Sequence, residues 1–359
     1  MLWQHHRIPP PPSSCFFLVA LTWAWCCVTA FGTASPGTTF ASPACFAALA
    51  RAFPPSSLLR TVLVSATAAM ASSTSPSSPP ATSTSLSSSS TGVDVETSNG
   101  KRLHFVWMPE VNSTQDAMKV LLVSNTGEAL SKGGVDVLAL GAGAQTKGRG
   151  TSGRAWVGLV GNAFLTLALP RSTLSSLPYP ITLLPLRVGT LVAREIIRVL
   201  PTPEARAKVH LKWPNDVLLG DDKVSGLLIE MDSSSACYLV GIGVNVAQAP
   251  PVPSAGADRG RTASCLADHG LPVSDADTAK ELSLRIARAV TEWMGGAATQ
   301  DTAELVLAEW EGLAVWGTEY RRRDDDGVVI PLGLETDGRL RVRDQATGAI
   351  RHLVADYLH

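Results

Sequence analysis

Apolar and polar positions alternate along residues 93–312 in short blocks, and the period of the blocks changes several times. Blocks of period two predict β-strands, and blocks of period three to four predict helices. The predicted strands are residues 103–107, 135–140, 162–169 and 238–246, and the predicted helices are residues 113–122, 183–200, 279–293 and 302–310. Because the strands do not recur as regular strand–helix–strand units, we predict an α+β fold with a mixed, largely antiparallel sheet and helices on its faces.

Two further patterns complete the folded part of the chain. Apolar residues 217–219 and 227–229 flank Gly220, Asp221 and Asp222, which is typical of a β-hairpin with a tight turn. After residue 312, short apolar runs alternate with Asp/Gly turns. This pattern predicts a small SH3-like β-barrel over residues 313–359, whose last strand would run over residues 350–357.

The composition of residues 1–92 differs from that of the rest, because no Asp or Glu occurs before Asp94. Arg7 precedes the apolar residues 15–31, a run shorter than the ~20 residues that a membrane-spanning helix needs. Residues 28–30 (Val-Thr-Ala) fit a cleavage site, so we predict a signal peptide, with a short membrane anchor as the alternative.

The stretch that begins at Phe31 is rich in Ser and Ala and has the composition of a transit peptide. A signal peptide followed by such a stretch resembles the bipartite leaders of algae with secondary plastids. We therefore predict a targeting leader and a Ser-rich linker over residues 1–92, delivery to a plastid, and no stable membrane insertion after the leader is removed. Met70 is an alternative start that would give a cytoplasmic form.

Charge and cysteine content narrow the classes of partner. The chain has 30 Lys and Arg against 31 Asp and Glu, so its overall charge gives no reason to expect nucleic-acid binding. Beyond the leader the only cysteines are Cys237 and Cys265, which argues against a disulfide framework.

Two segments place cations in apolar or glycine-rich surroundings. Residues 212–216 (Lys-Trp-Pro-Asn-Asp) put Lys212 on a predicted strand, where a lysine is costly unless it meets an anion. Residues 145–156 combine three glycines with Arg149 and Arg154, and arginine suits carboxylate and phosphate groups. Taken singly, the segments also fit a surface lysine and a flexible turn. The loop matches neither of the common phosphate-binding fingerprints.

The order of five motifs says more than any motif alone. They are Ser113-Thr114-Gln115, the glycine-rich loop of residues 145–156, Lys-Trp-Pro-Asn-Asp, Lys223-x-x-Gly226, and residues 241–245 (Gly-Ile-Gly-Val-Asn). Ser113 or Thr114 would also serve as a helix N-cap. In this order, and over roughly residues 103–359, the chain resembles the biotin–protein ligases.

The resemblance implies a fold and an activity. It implies a catalytic domain of the class II synthetase/biotin ligase type over residues 93–312, followed by the SH3-like domain. Members of the family activate biotin with ATP and Mg²⁺ to biotinyl-5′-AMP. They then transfer biotin to one lysine of the biotin carrier domain of a carboxylase, which we expect to be acetyl-CoA carboxylase.

The resemblance also assigns roles to residues. Lys212 and Arg149 are expected to be catalytic. Biotin contacts are expected from Ser113, Thr114, Gln115, Gln145, Gly148, Gly150, Thr151 and Gly226, and nucleotide contacts from Arg149, Arg154, Trp156, Lys212 and Asn245. Residues 164–167 and 226–228 are predicted to line the apolar slot for biotin, and no metal-ligating residue is identified.

Thr151 and Ser152 depart from the family pattern, because they stand where members usually carry at least one more arginine. The loss of a cation there bears on how firmly the intermediate is held. Two other functions remain open: a lipoate–protein ligase of the same fold, and a biotin-binding protein without catalytic activity.

The predicted leader can be tested with a fluorescent fusion. Residues 1–92 should carry the fusion into the secretory route and then into a plastid, and Phe31→Ala should stop it before the plastid. A fusion that begins at Met70 should stay in the cytosol. Microscopy with a plastid marker is the measurement, and cytosolic fluorescence of the 1–92 fusion would contradict the prediction.

Overall fold

The computed structural model describes residues 91–251, 262–273, 276–295, 301–322 and 327–354. These residues belong to one compact unit that begins at Thr84. The predicted leader up to residue 90 and residues 355–357, the end of the predicted last strand, lie outside the described residues.

An eight-stranded sheet forms the centre of the fold, in the order β1-β2-β3-β6-β10-β9-β8-β7. The strands are β1 Thr91–Glu96, β2 Arg102–Met108, β3 Val137–Ala142, β6 Ala163–Pro170, β7 Val209–Lys212, β8 Asp216–Leu219, β9 Asp222–Asp232 and β10 Cys237–Val244. Only the β2–β3 pair is parallel. A separate two-stranded ribbon joins β4 Gln145–Arg149 to β5 Ala155–Gly158. The predicted mixed, largely antiparallel α+β fold is confirmed.

The helices lie on the two faces of this sheet. They are α1 Thr114–Leu122, α2 Asn125–Ser131, α3 Arg171–Leu174, α4 Leu184–Val199, α5 Pro203–Ala207, α6 Ala276–Gly295 and α7 Ala303–Glu311. Ser113 occupies the N-cap position of α1, but its side chain makes no capping hydrogen bond. In the described part of the chain, no helix has the length and apolar character needed to cross a bilayer.

Two apolar clusters cover the sheet. The larger cluster contains residues of α4, α6 and α7 and the alternate residues of β6 and β10 that face them, such as Leu167 and Ile242. The smaller cluster packs α1 against the other face through Met118 and Leu121. Because strand side chains alternate between faces, the residues that α1 leaves uncovered on this second face are available to form a site.

The C-terminal strands form a four-stranded antiparallel sheet, and among the described residues this sheet is open. Its strands are β11 Tyr320–Arg321, β12 Val328–Leu334, β13 Leu340–Asp344 and β14 Ile350–Leu353. The predicted turn at Asp337 and Gly338 is present, with Gly338 at φ +85°. Closure into the predicted SH3-like barrel is not seen. The sheet shares a continuous apolar core with the rest of the domain, through residues such as Val329 and Val342.

A buried ion pair ties the helices together. The Arg187 guanidinium on α4 lies 2.9 Å from the Asp301 carboxylate, which precedes α7, and the two side chains are 5% and 2% exposed. Asp301 also accepts a hydrogen bond of 2.8 Å from the Trp293 indole of α6, and Arg187 pairs with Glu309 of α7. One carboxylate therefore connects the three helices that cover the main core.

We expect Arg187→Ala to lower the free energy of unfolding by about 3–5 kcal/mol, because it leaves the Asp301 carboxylate buried without its cation. Urea denaturation measures the change. Lys132→Ala is the control, since its pair with Glu128 is exposed and is worth at most about 0.5 kcal/mol. Equal losses in the two variants would contradict the assigned role of the buried pair.

Candidate functional site

A cavity of about 250 Å³ opens on the second face of the sheet, beside the start of α1. Its floor is the backbone of β9 and β10, where Gly226 pairs with Gly243 and Leu228 pairs with Gly241. The β4–β5 ribbon forms one wall, and the turn from β7 to β8 (residues 212–216) forms another. Three glycines on one face give the floor its depth, because a side chain at any of them would point into the cavity.

Trp156 of β5 lies directly on this glycine floor. A Cβ atom built on Gly243 would come within 2.5 Å of the Trp156 ring, and one on Gly226 within 2.8 Å. The Trp156 indole nitrogen is buried without a hydrogen-bond partner. Trp156 is therefore a pocket residue, and both glycines are needed for its position.

One end of the pocket presents amide and hydroxyl groups. The Gln145 side-chain oxygen accepts hydrogen bonds from the Thr114 backbone N–H at 2.8 Å and from its hydroxyl at 3.1 Å. The Thr166 hydroxyl in turn donates to the Thr114 hydroxyl at 2.9 Å. Ser113 beside them is buried and lines the pocket. This chain of hydrogen bonds fixes the orientation of the polar groups before any ligand binds.

Two buried amide oxygens in the pocket have no partner. Gln115 donates to the Leu228 carbonyl at 3.0 Å, and Asn245 donates to the Ser264 carbonyl at 3.1 Å. The side-chain oxygens of Gln115 and Asn245 remain unsatisfied. Since buried acceptors are almost always hydrogen-bonded, each of these two points to a donor on a bound molecule.

The other end of the pocket is cationic. Arg149, Arg154, Lys212 and Lys223 line it, against a single carboxylate, Asp216, among the described residues. The Lys223 ammonium lies 2.5 Å from Asp216 and 5.3 Å from the centre of the Trp156 ring. The lining residues at this end therefore carry four positive charges and one negative charge. Such an excess of cations favours an anionic ligand such as a carboxylate or phosphate.

Arg149, predicted to be catalytic, is held by acidic residues outside the pocket floor. Its guanidinium lies 2.7 Å from both carboxylate oxygens of Asp116 and 3.2 Å from Glu230. The hydrogen bonds to Asp116 raise the pKa of Arg149, so the group is cationic throughout the ordinary pH range. Lys119 lies 3.2 Å from the same Glu230 carboxylate. A ligand at this guanidinium would compete with these two carboxylates.

The tip of the ribbon is closed by contacts between Arg154 and Thr151. Arg154 donates to the Thr151 carbonyl at 3.1 Å and to the Thr151 hydroxyl. Ser152 has φ 55° and Gly153 has φ +73°, so the tip turns in the left-handed region. Thr151 therefore holds Arg154 within the loop, at the rim of the cavity.

The structure brings together nearly all the residues predicted for the site. Those that line the cavity are Ser113, Thr114, Gln115, Gln145, Arg149, Gly150, Thr151, Arg154, Trp156, Lys212, Gly226 and Asn245. Gly148 does not line it. Gly148 instead pairs with Trp156 across the ribbon, where a Cβ atom would come within 2.4 Å of the Trp156 carbonyl oxygen.

One part of the predicted slot is wrong. Residues 164–167 do not line the cavity, because Leu165 and Leu167 point into the main core on the opposite face and Thr166 lies under Thr114. Residues 241–243 of the neighbouring strand provide the floor instead. Alternation along β6 predicts two faces but does not say which face α1 covers.

Sequence reasoning missed three charged residues: Lys223, Asp116 and Glu230. Lys223 belongs to the Lys-x-x-Gly motif, and the predicted hairpin already brings its strand beside Asp216. The sequence therefore contained enough information to predict the Lys223–Asp216 pair. No local signal pointed to Asp116 and Glu230, which reach Arg149 from α1 and β9. Among the described residues, no group of three or more His, Cys, Asp or Glu is placed to hold a metal ion.

Comparison with known proteins agrees with this geometry. Residues 111–246, which contain most of the pocket, match the model of the biotin/lipoate A/B protein ligase family. Over these residues the chain is similar to that family. The match begins just before α1 and ends just after β10.

Two curated relatives share part of this region. A biotin–[acetyl-CoA-carboxylase] ligase of Paracoccus denitrificans is 38% identical over 109 residues, which are 30% of this chain and 43% of that protein. The enzyme of the same name from Mycobacterium tuberculosis is 33% identical over 122 residues, 34% of this chain and 44% of that protein. The chain thus spans less than half the length of these relatives.

A solved structure extends the likeness to the whole fold. The biotin protein ligase from Aquifex aeolicus in complex with biotin and ATP superposes with a TM-score of 0.54 and 25% sequence identity. The superposition covers 71% of this chain and 97% of that one. Residues 111–246 and the region after them therefore have an architecture similar to that of a biotin protein ligase.

The acidic partners of Arg149 should limit the opening of the β4–β5 ribbon. We expect the double variant Asp116→Ala/Glu230→Ala to be cut by trypsin after Lys147, Arg149 or Arg154 roughly fivefold faster or more, because each broken pair is worth up to about 1 kcal/mol of local stability. Mass spectrometry of the fragments gives the rate. Asp94→Ala is the control, since it removes the ion pair between Asp94 of β1 and His104 of β2, and equal cleavage rates would contradict the prediction.

Proposed function

We propose that this protein is an ATP-dependent biotin–protein ligase, which forms biotinyl-5′-AMP and transfers biotin to a specific lysine of a carboxylase biotin carrier domain. The observation that supports this best is the division of one pocket into two ends. The amide and hydroxyl end suits a small polar ring, and the cationic end suits a carboxylate and a phosphate. A glycine floor under Trp156 joins them.

The polar end matches the chemistry of biotin. The ureido ring of biotin carries N–H donors and one carbonyl acceptor within a few ångströms. The free oxygen of Gln115 offers an acceptor for an N–H, and the Ser113 hydroxyl, which lines the pocket, offers a donor for the carbonyl. The thiophane ring and valeryl chain are apolar and suit the apolar residues of the lining, such as Leu228.

The first step joins two anions. A biotin carboxylate oxygen attacks the α-phosphorus of ATP, the bond to the β-phosphate breaks, and pyrophosphate leaves. Charge builds on the phosphate oxygens, so preorganised cations lower the barrier. We assign this role to Lys212, with Arg149 joining it after release from its acidic partners, and Arg154 and Lys223 lie at the same end of the pocket.

Nucleotide contacts follow from the remaining pocket residues. We place the adenine against Trp156. The free side-chain oxygen of Asn245 would accept a hydrogen bond from a donor group of the nucleotide. We assign Mg²⁺ to the phosphates of ATP, because Asp216 is the only carboxylate among the described lining residues and Mg²⁺ binds ATP through one or two carboxylates, water and phosphate oxygens. The ion would neutralise phosphate charge there.

The second step transfers the biotinyl group. The amine of the carrier lysine attacks the carbonyl of biotinyl-5′-AMP, AMP leaves, and the amine loses a proton as the amide forms. The names of the relatives from Paracoccus denitrificans and Mycobacterium tuberculosis support acetyl-CoA carboxylase as the source of the carrier. We also retain as proposals the plastid location of the enzyme and closure of the C-terminal sheet into an SH3-like barrel.

A lipoate–protein ligase is the second candidate, because the matching family model includes both activities. The buried oxygen of Gln115 favours biotin, since the dithiolane ring of lipoate has no N–H to donate. Incubation with ATP, Mg²⁺, a carrier domain and either biotin or lipoate separates the two. Modification with lipoate alone would overturn the proposal. Tight biotin binding without carrier modification or pyrophosphate exchange would indicate a non-catalytic binding protein.

Lys212→Ala tests the first step directly. Loss of one preorganised donor costs ~3 kcal/mol of transition-state stabilisation, so biotin-dependent exchange of pyrophosphate into ATP should fall on the order of a hundredfold or more. Lys208→Ala, a change at an exposed lysine just before β7, should leave the exchange rate within about twofold, as surface changes usually do. Near-normal exchange in Lys212→Ala would remove that lysine from the mechanism.

A further inference from the structure

Lys212 is bordered by a residue from the C-terminal sheet. Lys212 is the last residue of β7 and is only 7% exposed. Its ammonium lies 5.2 Å from the centre of the Tyr320 ring. Tyr320 is the first residue of β11 and is itself 8% exposed. The contact is therefore made largely out of water.

The chain on either side of Lys212 is hydrogen-bonded to the C-terminal region. The Leu211 backbone N–H donates to the Leu313 carbonyl at 2.9 Å. The Trp213 indole N–H donates to the Gly338 carbonyl at 2.9 Å. These bonds hold the C-terminal sheet against the residues immediately before and after Lys212.

An aromatic ring beside a lysine limits where its ammonium can sit. The lysine side chain has four rotatable carbon–carbon bonds, so a strand alone fixes its Cα but not its Nζ. A cation within about 6 Å of a ring centre is attracted to the negative face of the ring, and the attraction is stronger when both groups are desolvated. The Tyr320 ring therefore favours the rotamers that keep Nζ at the cationic end of the pocket.

We propose that Tyr320 is a positioning residue for Lys212 in the adenylation step, so that the C-terminal sheet supports the reaction centre from outside the cavity. Tyr320 does not line the cavity and acts through the lysine. This inference rests on the proposed ligase function. It assigns to the sheet after residue 312 a part in the first step, which needs no carrier protein.

The experiment compares Tyr320→Leu with Tyr320→Phe in the full chain, by biotin-dependent exchange of pyrophosphate into ATP. Tyr320→Leu keeps apolar volume and removes the ring, and its kcat should fall about tenfold. Its KM for biotin should stay within about twofold, because no biotin-binding group changes. Tyr320→Phe keeps the ring and should retain at least about half of the wild-type kcat.

Two further variants separate positioning from folding. Val342→Ala opens a space in the core of the same sheet, where Val342 is fully buried, and should lower Tm with kcat retained. In Lys212→Ala/Tyr320→Leu, loss of the ring should add nothing to the loss caused by Lys212→Ala alone, because coupled residues are not additive. Tyr320→Met replaces Tyr320→Leu if the latter does not fold.

Each outcome either supports or overturns the proposed role of Tyr320. Wild-type kcat in Tyr320→Leu, equal kcat losses in Tyr320→Leu and Val342→Ala, or additive losses in the double variant would each overturn the role of Tyr320 and leave the ligase proposal standing. A wild-type protein with no biotin-dependent exchange would overturn the ligase proposal and this inference with it. A tenfold loss restored by phenylalanine and absent from the Lys212→Ala background supports the inference.

Discussion

The pairing of Gly226 with Gly243 across β9 and β10 is the constraint on which the site depends. Two residues without side chains, opposite each other on one face, leave the space that the Trp156 ring enters. Once that ring lies on the backbone, β5 is fixed over the sheet, and with it the ribbon that carries Arg149 and Arg154. The pocket thus follows from strand register, because a slip of one residue would turn these glycines to the opposite face.

Two of the four cations that line the pocket are paired with carboxylates of the chain itself. Asp216 neutralises Lys223, and Asp116 and Glu230 neutralise Arg149. A bound anion must compete with these carboxylates, so part of its interaction energy is offset by the ion pairs that it breaks. Such competition favours a ligand that engages several cations at once over one that engages a single cation.

The local sequence pattern was sufficient to predict some elements of the structure and insufficient to predict others. The helix after Ser113 and the hairpin around Gly220 follow from periodicity and turn residues within a few positions of each other. The partners of Arg149 lie on two other elements, and the ring beside Lys212 comes from the C-terminal sheet. Periodicity indicates which residues share a face, but it carries no information on which distant face packs against it. For the same reason, periodicity did not exclude residues 164–167 from the predicted apolar slot.

The backbone hydrogen bond between Leu211 and Leu313 determines how a truncated form of the chain would behave. β7 is the last strand of the eight-stranded sheet, and the segment at Leu313 and Ala314 runs alongside it. A polypeptide ended at residue 312, the boundary predicted from sequence, would leave the backbone of an edge strand open to pairing with another molecule. Self-association of such a truncated protein would then reflect the missing cover of β7 rather than an oligomeric state of the whole chain.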